Sequence, residues 1–365
     1  MANTYFFTGF PGFIATSLIR QMARDQLSIE HIYLLVQPRF LEKAQLEIKS
    51  IASEGSLSPQ QFSLIAGDIT KKGLGIGQEA NDLLRERVTH VFHLAAVYDL
   101  AVSEQIAFDV NVSGTKNVNE WTLSLFRLKR YIYFSTAYVS GKREGRILET
   151  ELDEGQSFKN HYEHTKFLAE QLVEKLKKHV PVTIIRPGIV RGHSVTGETV
   201  KFDGPYFILN FFDRLSFLPF IPNLGRGSAE GNFVPVDYIF RATIRLAHHE
   251  AGAGKTYHLT DPNPYTMKEV YGMLMQRSLG RDPFGQIPLG WARMLLSFSA
   301  VRRWLRVEQE ALDYFICMSK YDCSQAQQDL MGTGIACPDF KQTAASMVSF
   351  YQQHKNDRSK HLNIH

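Results

Sequence analysis

The chain has 365 residues, of which 44% are hydrophobic and 21% are charged, as in an ordinary globular enzyme. This length exceeds one minimal nucleotide-binding domain, and the formal net charge of +4 is too small to favour nucleic acid as a partner. Cys317, Cys323 and Cys337 lack metal-ligand spacing, so we expect reduced thiols in the cytoplasm and no metal site. Neither a secretory signal nor an apolar run of about 18 residues is present.

Strand and helix patterns alternate through the first half of the chain. The predicted strands are 4–8, 31–36, 62–66, 89–94, 130–135 and 182–186. The predicted helices are 13–25, 40–53, 79–86, 104–126 and 161–178. Such alternation indicates an α/β fold with a doubly wound parallel sheet and helices on both faces.

The second half is irregular and richer in Phe, Pro and Gly. We expect a dinucleotide-binding core over 1–190 and a smaller substrate lobe over 191–355. Within about 232–260, the fragments 233–237 and 255–260 look like returns to the sheet, so the lobe is predicted to be partly interleaved with the core. The polar end, 356–365, is predicted to fray.

The first strand leads directly into a glycine turn and a helix. Residues 5–15 read Tyr-Phe-Phe-Thr-Gly-Phe-Pro-Gly-Phe-Ile-Ala. Gly9 allows the tight turn, Gly12 lets backbone N–H groups approach a pyrophosphate, and Ala15 lets the helix pack closely. This pattern predicts a Rossmann-type dinucleotide site, the alternative being a plain tight turn in another α/β fold.

The ends of the next two strands bear on the kind of cofactor. An acidic residue after the second strand would bind a ribose 2′-hydroxyl, but Arg39 is found there, with Lys43 one turn later. A guanidinium suits a 2′-phosphate, which favours NADPH over NADH, unless Arg39 is only a solvated loop charge. After the third strand, Asp68 can accept from the adenine amino group while Ile69 packs on the ring, or Asp68 can cap the next turn.

A Tyr four residues before a Lys on a helix places both side chains on one face. The chain has three such pairs, Tyr138/Lys142, Tyr162/Lys166 and Tyr351/Lys355. Only Tyr162/Lys166 lies at the start of a strong amphipathic helix. This helix follows the predicted strand 130–135, whose carboxyl end is expected to face the cofactor crevice. There, the ammonium is expected to lower the pKa of the phenol, which makes the Tyr a general acid or base.

Polar residues near this pair complete the predicted site. The hydroxyl of Thr136 can stabilise the oxyanion formed after hydride arrives, and alternation along the strand means that only Thr136 or its neighbour Ser135 faces the site. Asn111 is expected to cap or support backbone near the site, or to be purely structural. We interpret His93 as a core histidine without a catalytic role.

Taken together, these motifs resemble the extended short-chain dehydrogenase/reductase superfamily. The matching segments are 8–12, Asp68-Ile69, 93–96, 111–115, Ser135-Thr136, Tyr162-x-x-x-Lys166 and 186–188. The resemblance implies catalytic roles for Thr136, Tyr162 and Lys166. It also implies that the cofactor-binding residues are Thr8, Gly9, Pro11, Gly12, Phe13, Ile14, Arg39, Asp68, Ile69, Ala95, Ala96, Lys166, Pro187, Gly188 and Val190.

The downstream half is similar to the male-sterility or thioester-reductase branch of that superfamily, in segments 186–198, 203–206 and 233–237. Segments 91–99 and 192–198 are similar to the N-terminal reductase half of two-domain bacterial fatty acyl reductases. This resemblance implies an NADPH-dependent reductase of a fatty aldehyde, or of an acyl thioester carried by coenzyme A or a carrier protein. The sequence departs from the pattern of that family in two respects. Gln37 and Pro38 separate Arg39 from the valine that ends the second strand, and a second reductase domain is not found in the 365 residues.

Two apolar segments bear on the substrate. Residues 207–221 are dense in aromatic side chains and form either an acyl groove or the core of the lobe. Residues 289–306 read as one basic amphipathic helix, which can lie on a membrane, act as a lid toward coenzyme A or carrier phosphates, or dock with its arginines in water.

Rival functions are an NAD-dependent nucleotide-sugar epimerase or dehydratase and a non-catalytic NADP-binding regulator. The apolar 207–221 segment argues against a sugar diphosphate, and the complete Thr/Tyr/Lys set argues against a regulator. The superfamily resemblance also implies a homodimer through helices at about 104–126 and 161–178.

Overall fold

The computed structural model describes residues 2–98 and 103–362. Asp99, at the end of one of the matching segments, lies outside the described residues. Within them, seven parallel strands form the main sheet in the order β11-β7-β5-β4-β1-β2-β3. These strands are β1 Asn3–Thr8, β2 Ile29–Val36, β3 Phe62–Ala66, β4 His90–His93, β5 Arg130–Phe134, β7 Val182–Pro187 and β11 Thr256–Leu259. The six strands predicted in the first half are thereby confirmed.

Helices cover both faces of the sheet, as predicted. The helices of this layer are α1 Phe13–Arg24, α2 Leu41–Ser53, α3 Gln78–Arg87, α4 Glu104–Ala107, α5 Gly114–Thr122, α6 His161–Leu176 and α8 Val236–His248. One core packs α1, α2 and α8 against the sheet, while α3, α5 and α6 pack on the opposite face. Successive residues of β1 alternate between them, with Tyr5 and Phe7 in the first core and Phe6 in the second.

The segment predicted as one helix over 104–126 is interrupted. A π-helical stretch, Phe108–Ser113, joins α4 to α5. The extra residue of a π turn re-aims side chains, and here Asn111 bonds outside its own helix, as described below. At the start of α5, a side chain on Gly114 would lie 2.7 Å from Ile69 Cδ1, so this glycine permits the close approach of the loop after β3.

The C-terminal lobe begins where the chain leaves the sheet at Gly188. The N–H of Gly188 still donates to Leu259 O at 3.1 Å, but the N–H of Ile189 donates to Asn232 O at 2.9 Å. As a result β8, Ile189–Arg191, pairs with β10, Phe233–Pro235, in a separate two-stranded ribbon. The predicted return of 233–237 to the main sheet is therefore wrong, whereas that of 255–260 is confirmed by β11.

The remaining elements build the lobe and its contacts with the core. They are β6 Gly145–Ile147, α7 Tyr206–Leu215, β9 Asn223–Leu224, α9 Met267–Leu279, β12 Gln286–Ile287, α10 Leu289–Leu296, α11 Ser299–Leu305, β13 Ser319–Tyr321, α12 Ser324–Leu330 and α13 Phe340–His354. Helices α7, α9 and α13 surround the apolar core of the lobe. The single helix predicted over 289–306 is instead two helices, because the chain turns to an extended conformation at Phe298.

The C-terminal segment packs on the lobe. The N–H of Phe202 donates to Lys360 O at 2.7 Å, and Lys360 Nζ donates to Thr199 O at 2.8 Å. Residues 356–362 are therefore not the frayed tail we predicted, and 363–365 lie outside the described residues. Among the helices of the described ranges, none combines the length and apolar character needed to cross a bilayer.

Candidate active site

The crevice lies at the carboxyl ends of β1 and β4, where the direction of strand order reverses. Gly9 has a φ of +87°, and a side chain there would lie 2.8 Å from Ala95 N. Gly12 donates from its N–H to Gly9 O at 2.8 Å, and a Cβ on Gly12 would come within 2.5 Å of that oxygen. Only glycine fits either position, and α1 begins directly afterwards at Phe13. This turn fits a dinucleotide pyrophosphate.

Thr8 fastens the end of β1 to the end of β4. Its Oγ1 accepts from the N–H groups of Leu94 and Ala95, both at 3.1 Å, and bonds to His93 Nδ1 at 2.8 Å. The Nε2 of His93 bonds to Thr115 Oγ1 at 3.0 Å, and burial lowers the pKa of His93 to about 3. His93 is thus a neutral core histidine, as predicted. Thr8 is fully buried, with its hydroxyl engaged in these hydrogen bonds.

The ends of β2 and β3 are joined by a chain of side-chain hydrogen bonds through Arg39, Gln37 and Asp68, which we call the relay. Arg39 Nε donates to Gln37 Oε1 at 2.9 Å, and Gln37 Nε2 donates to Asp68 Oδ2 at 2.9 Å. The other carboxylate oxygen of Asp68 accepts from Thr70 N at 2.9 Å, so Asp68 also caps its turn. Our sequence reasoning missed Gln37, although it stands at the strand end where an acidic residue was sought.

Lys166 lies on α6 with its side chain buried behind the crevice. Its Nζ donates to Tyr133 OH at 2.9 Å and to Phe134 O at 2.6 Å. Burial lowers the pKa of Lys166 to about 7, while the carboxylate of Glu170 acts in the opposite direction. The amine therefore changes charge within the physiological pH range.

Tyr162 stands one turn before Lys166 and is half-buried, with its ring edge-to-face against Tyr98 at 5.1 Å between centroids. Burial, followed by the charge of Glu163, raises the pKa of Tyr162. The expected lowering of the Tyr162 pKa by Lys166 is therefore wrong. Burial of the phenol is the main cause of the upward shift, and Lys166 Nζ is directed to Tyr133 OH and Phe134 O instead. The phenol remains protonated at neutral pH and is suited to donating a proton.

Ser135 and Thr136 point to different partners at the end of β5. Ser135 Oγ donates to Glu170, whose carboxylate also accepts from Arg186 at 2.6 Å and 2.8 Å. Ser135 therefore belongs to a buried ion-pair network. Thr136 Oγ1 accepts from Tyr138 N at 3.3 Å, which is compatible with donation of its hydroxyl to a substrate oxygen.

Asn111 connects the loop after β4 to the helix that carries Tyr162. Its Oδ1 accepts from Val97 N at 2.9 Å, and its Nδ2 donates to Thr165 Oγ1 at 3.0 Å. The predicted role in supporting the backbone is confirmed. Because Tyr98 follows Val97, this amide also positions the ring that contacts Tyr162.

The other two Tyr–Lys pairs have structural surroundings. Tyr138 is buried between the rings of Tyr314 and Tyr321, at 5.1 Å and 5.6 Å, whereas Lys142 is exposed. Tyr351 OH donates to Asn210 Oδ1 at 2.9 Å inside the lobe. Tyr138 thus follows β5 at the same end of the sheet as Thr136 but is enclosed by other rings, and Tyr351 lies in the core of the lobe.

The remaining predicted cofactor residues line the same edge of the sheet. They are Pro11 and Ile14 at the glycine turn, Ile69 after β3, Ala96 after β4, and Pro187, Gly188 and Val190 around the end of β7. A side chain on Gly188 would lie 2.7 Å from Asn232 Oδ1, so glycine is required where the lobe crosses the sheet. Ile69 is buried, and its carbonyl oxygen accepts from Asn117 Nδ2 at 2.8 Å.

An apolar pocket adjoins Tyr162 on the lobe side. Its lining residues are Tyr98, Ile189, Gly204, Phe207, Ile208, Phe233, Met267, Ala311, Tyr314 and Phe315. The ring of Tyr98 contacts both the pocket and Tyr162. From the 207–221 segment, Phe207 and Ile208 reach this pocket, while Leu209 and Phe212 lie in the lobe core. Residues of that segment thus form part of the lobe core and part of the pocket lining, and Ile208 belongs to both.

A dinucleotide turn at the switch point, together with a Tyr and a buried Lys on the helix after β5, is the arrangement of an extended short-chain dehydrogenase/reductase. A family model described as male sterility protein matches residues 7–243. The chain therefore belongs to the male sterility protein family, with an NAD(P)-binding Rossmann domain.

Curated relatives agree with this assignment, and a solved structure shares the fold. A nonribosomal peptide synthetase of Aspergillus campestris is 26% identical over 310 residues, covering 80% of this chain and 29% of that protein. The fatty acyl-CoA reductase wat of Drosophila melanogaster is 29% identical over 280 residues, covering 66% and 53%. The chain thus spans about half or less of these curated relatives. The terminal R domain from the myxalamid PKS-NRPS biosynthetic pathway superposes with a TM-score of 0.80 at 24% identity. The match covers 98% of this chain and 92% of the R domain.

Proposed function

We propose that this chain is a cytoplasmic, NADPH-dependent reductase of a long apolar carbonyl compound. The substrate is a fatty aldehyde, reduced to the alcohol, or a fatty acyl thioester of coenzyme A or a carrier protein, reduced to the aldehyde. The observation that carries this proposal is the apolar pocket that meets Tyr162 through the ring of Tyr98. Its aromatic lining suits an alkyl chain better than a sugar diphosphate.

The three predicted catalytic residues have separate tasks in this reaction. Bound at the glycine turn, NADPH would supply the hydride for the carbonyl carbon. Thr136 donates a hydrogen bond to the carbonyl oxygen, and Tyr162 protonates the alkoxide, for which its raised pKa keeps it in the acid form. Lys166, as an ammonium, holds the nicotinamide ribose and stabilises charge that develops on Tyr162. With a thioester, the thiolate leaves from the same carbon.

The preference for NADPH rests on the relay after β2. Arg39 is exposed and Gln37 is neutral, so this strand end carries no carboxylate that would repel a 2′-phosphate. Asp68 is turned toward Gln37 and Thr70, with its carboxylate near the expected adenine edge.

The proposed homodimer would bury an apolar surface near α4, α5 and the loop that follows. Ile106, Phe108, Leu123 and Phe126 are between 42% and 69% exposed in the single chain. Exposed apolar side chains in such number often mark a surface that associates with another protein. Light scattering of the protein in solution tests this part of the proposal.

The deciding experiment follows NADPH oxidation with a long-chain aldehyde and a long-chain acyl-CoA in parallel, with NADH as the comparison. Tyr162→Phe is expected to lower kcat by a factor of about 100 or more while NADPH binding, measured by fluorescence titration, is retained. Tyr138→Phe is the matched control, because Tyr138 also precedes a lysine by four residues but lies among aromatic rings.

Each outcome has a definite meaning. Turnover with aldehyde alone assigns a one-step alcohol-forming reductase, and turnover with acyl-CoA assigns a thioester reductase. Full activity of Tyr162→Phe would refute the site, and no oxidation with either substrate would refute the proposed function. NAD that remains bound through purification would then favour the epimerase.

A further inference from the structure

Helix α10 has apolar side chains on two opposite faces. The inner face places Ala292 and Leu296 in a buried cluster. The outer face carries Trp291, Met294 and Leu295, which are 66%, 57% and 49% exposed, and continues into Phe298 at 61%. Trp291, Met294 and Leu295 stand at positions i, i+3 and i+4 of α10, so they lie in one stripe, and Phe298 follows just beyond the end of the helix. A helix packed on a protein core needs only the inner face.

Other large apolar side chains are exposed on elements adjacent to α10 in the chain. Trp304 on α11 is 47% exposed. Phe220 and Phe284, at 63% and 68%, face each other at 5.1 Å beside the β9–β12 pair that leads into α10. We call these residues the apolar patch: Phe220, Phe284, Trp291, Met294, Leu295, Phe298 and Trp304. Large exposed apolar patches mark surfaces that bind a partner or a membrane.

Positive charge surrounds the apolar patch. Residues 281–307 contain five arginines and one aspartate, and no lysine or glutamate. Arg293 pairs with Asp313, and Arg302 and Arg306 also donate to backbone carbonyl oxygens, which orders their side chains. Arg303 is exposed. The surface is therefore apolar in its middle and cationic at its side.

We propose that the apolar patch lies on an anionic lipid bilayer. Tryptophan and phenylalanine enter the boundary between headgroups and acyl chains, and arginines remain at the level of the phosphates. A two-fold contact between copies of this chain would instead bring like-charged arginines together. A carrier protein would supply acidic charge but has no evident need for seven exposed apolar side chains.

The position of the patch deepens the proposed function, on which this step rests. The inner face of α10 packs in the same cluster as Phe207, and Phe207 lines the pocket next to Tyr162. The bilayer would thus lie one layer of side chains away from the acyl pocket. A chain with more than a few methylene groups is scarcely soluble in water, so a substrate taken from the bilayer would reach the pocket directly.

Sedimentation with vesicles tests the proposal without any turnover. The wild-type protein is expected to bind vesicles of phosphatidylcholine with phosphatidylglycerol more tightly than phosphatidylcholine alone. The double variant Trp291→Ser/Phe298→Ser should reduce the partition coefficient by about tenfold or more. Arg303→Gln should reduce it by about fivefold on anionic vesicles only. Leu46→Ser on α2, which removes another side chain that is 61% exposed, is the matched control.

The outcomes separate this proposal from its rivals and from the proposed function. No binding, or equal binding of the double variant, would overturn it. A wild-type dimer that the double variant converts to monomer would assign the patch to a second copy, and loss of carrier-protein binding would assign it to that partner. The double variant should keep wild-type turnover of a short, water-soluble aldehyde, so a failure of the catalytic proposal is distinguishable.

Discussion

The buried amine of Lys166 makes the stability of this protein depend on pH. Burial lowers its pKa from 10.5 to about 7, so between these values the unfolded chain binds a proton that the folded protein does not. Stability therefore rises with pH across this window, by about 1.4 kcal/mol per pH unit. The full cost, about 5 kcal/mol, is present below pH 7 and is lost as the pH approaches 10.5.

Replacing Lys166 by Met removes this proton and keeps much of the side-chain volume. The variant loses the hydrogen bond to Phe134 O, which costs about 1–3 kcal/mol. At pH 7 it should nevertheless be more stable than wild type by about 2–3 kcal/mol, since the larger desolvation cost is gone. Between pH 7 and pH 9.5 this advantage should shrink by about 3 kcal/mol, as the wild type recovers stability. Reductase activity should be lost at every pH.

Urea unfolding of the cofactor-free proteins, followed by tryptophan fluorescence at half-unit steps from pH 6.5 to 9.5, measures the difference directly. Other titrating groups cancel between the two proteins. Lys142→Met, at an exposed lysine, should match wild type throughout. If the difference between Lys166→Met and wild type were constant across the range, the amine would not change charge in this window and our reasoning would be refuted.

Three further predictions concern the ion pair, the cofactor and the pocket. Glu170→Gln leaves the guanidinium of Arg186, which is 1% exposed, without its counter-charge, and should lower the free energy of unfolding by about 3–5 kcal/mol; a loss below about 1 kcal/mol would contradict this. Gln37→Asp should shift the ratio of kcat/KM toward NADH by about tenfold or more, because a carboxylate accepts from a 2′-hydroxyl and repels a 2′-phosphate; an unchanged ratio would argue against the relay as the selector. Phe207→Trp should raise KM for long-chain aldehydes but not short ones, and an effect independent of chain length would place the chain elsewhere.

Much of the fold was predictable because its strands are continuous apolar runs between turn signals. The predicted strand 62–66 has the same first and last residues as β3. The predicted return at 255–260 contains β11, although it is distant in sequence from the other strands. Tyr162 was chosen over Tyr138 because it opens a helix, and the structure places Tyr138 among other rings. These predictions depend on local patterns, which a sequence carries directly.

The parts that escaped prediction depend on contacts between distant residues. Gln37 is of interest because it hydrogen-bonds to Asp68, which is 31 residues away in the sequence. Tyr98 is of interest because its ring contacts Tyr162 and also lines the apolar pocket. The raised pKa of Tyr162 follows from burial, which spacing along a helix does not reveal. The break at Phe298 divides a segment whose charge pattern alone reads as continuous.

The late return of the chain to the main sheet has a consequence for protein engineering. β11 covers the edge of β7, with Tyr257 beside Ile185, although more than 60 residues, including all of α8, lie between them. A fragment cut at residue 190 would present β7 as an open edge, with unpaired N–H and C=O groups ready to pair with other molecules. Chimeric enzymes that exchange only the second half of this chain would inherit a mismatched outer strand. Recombination sites should therefore leave β7 and β11 from the same parent.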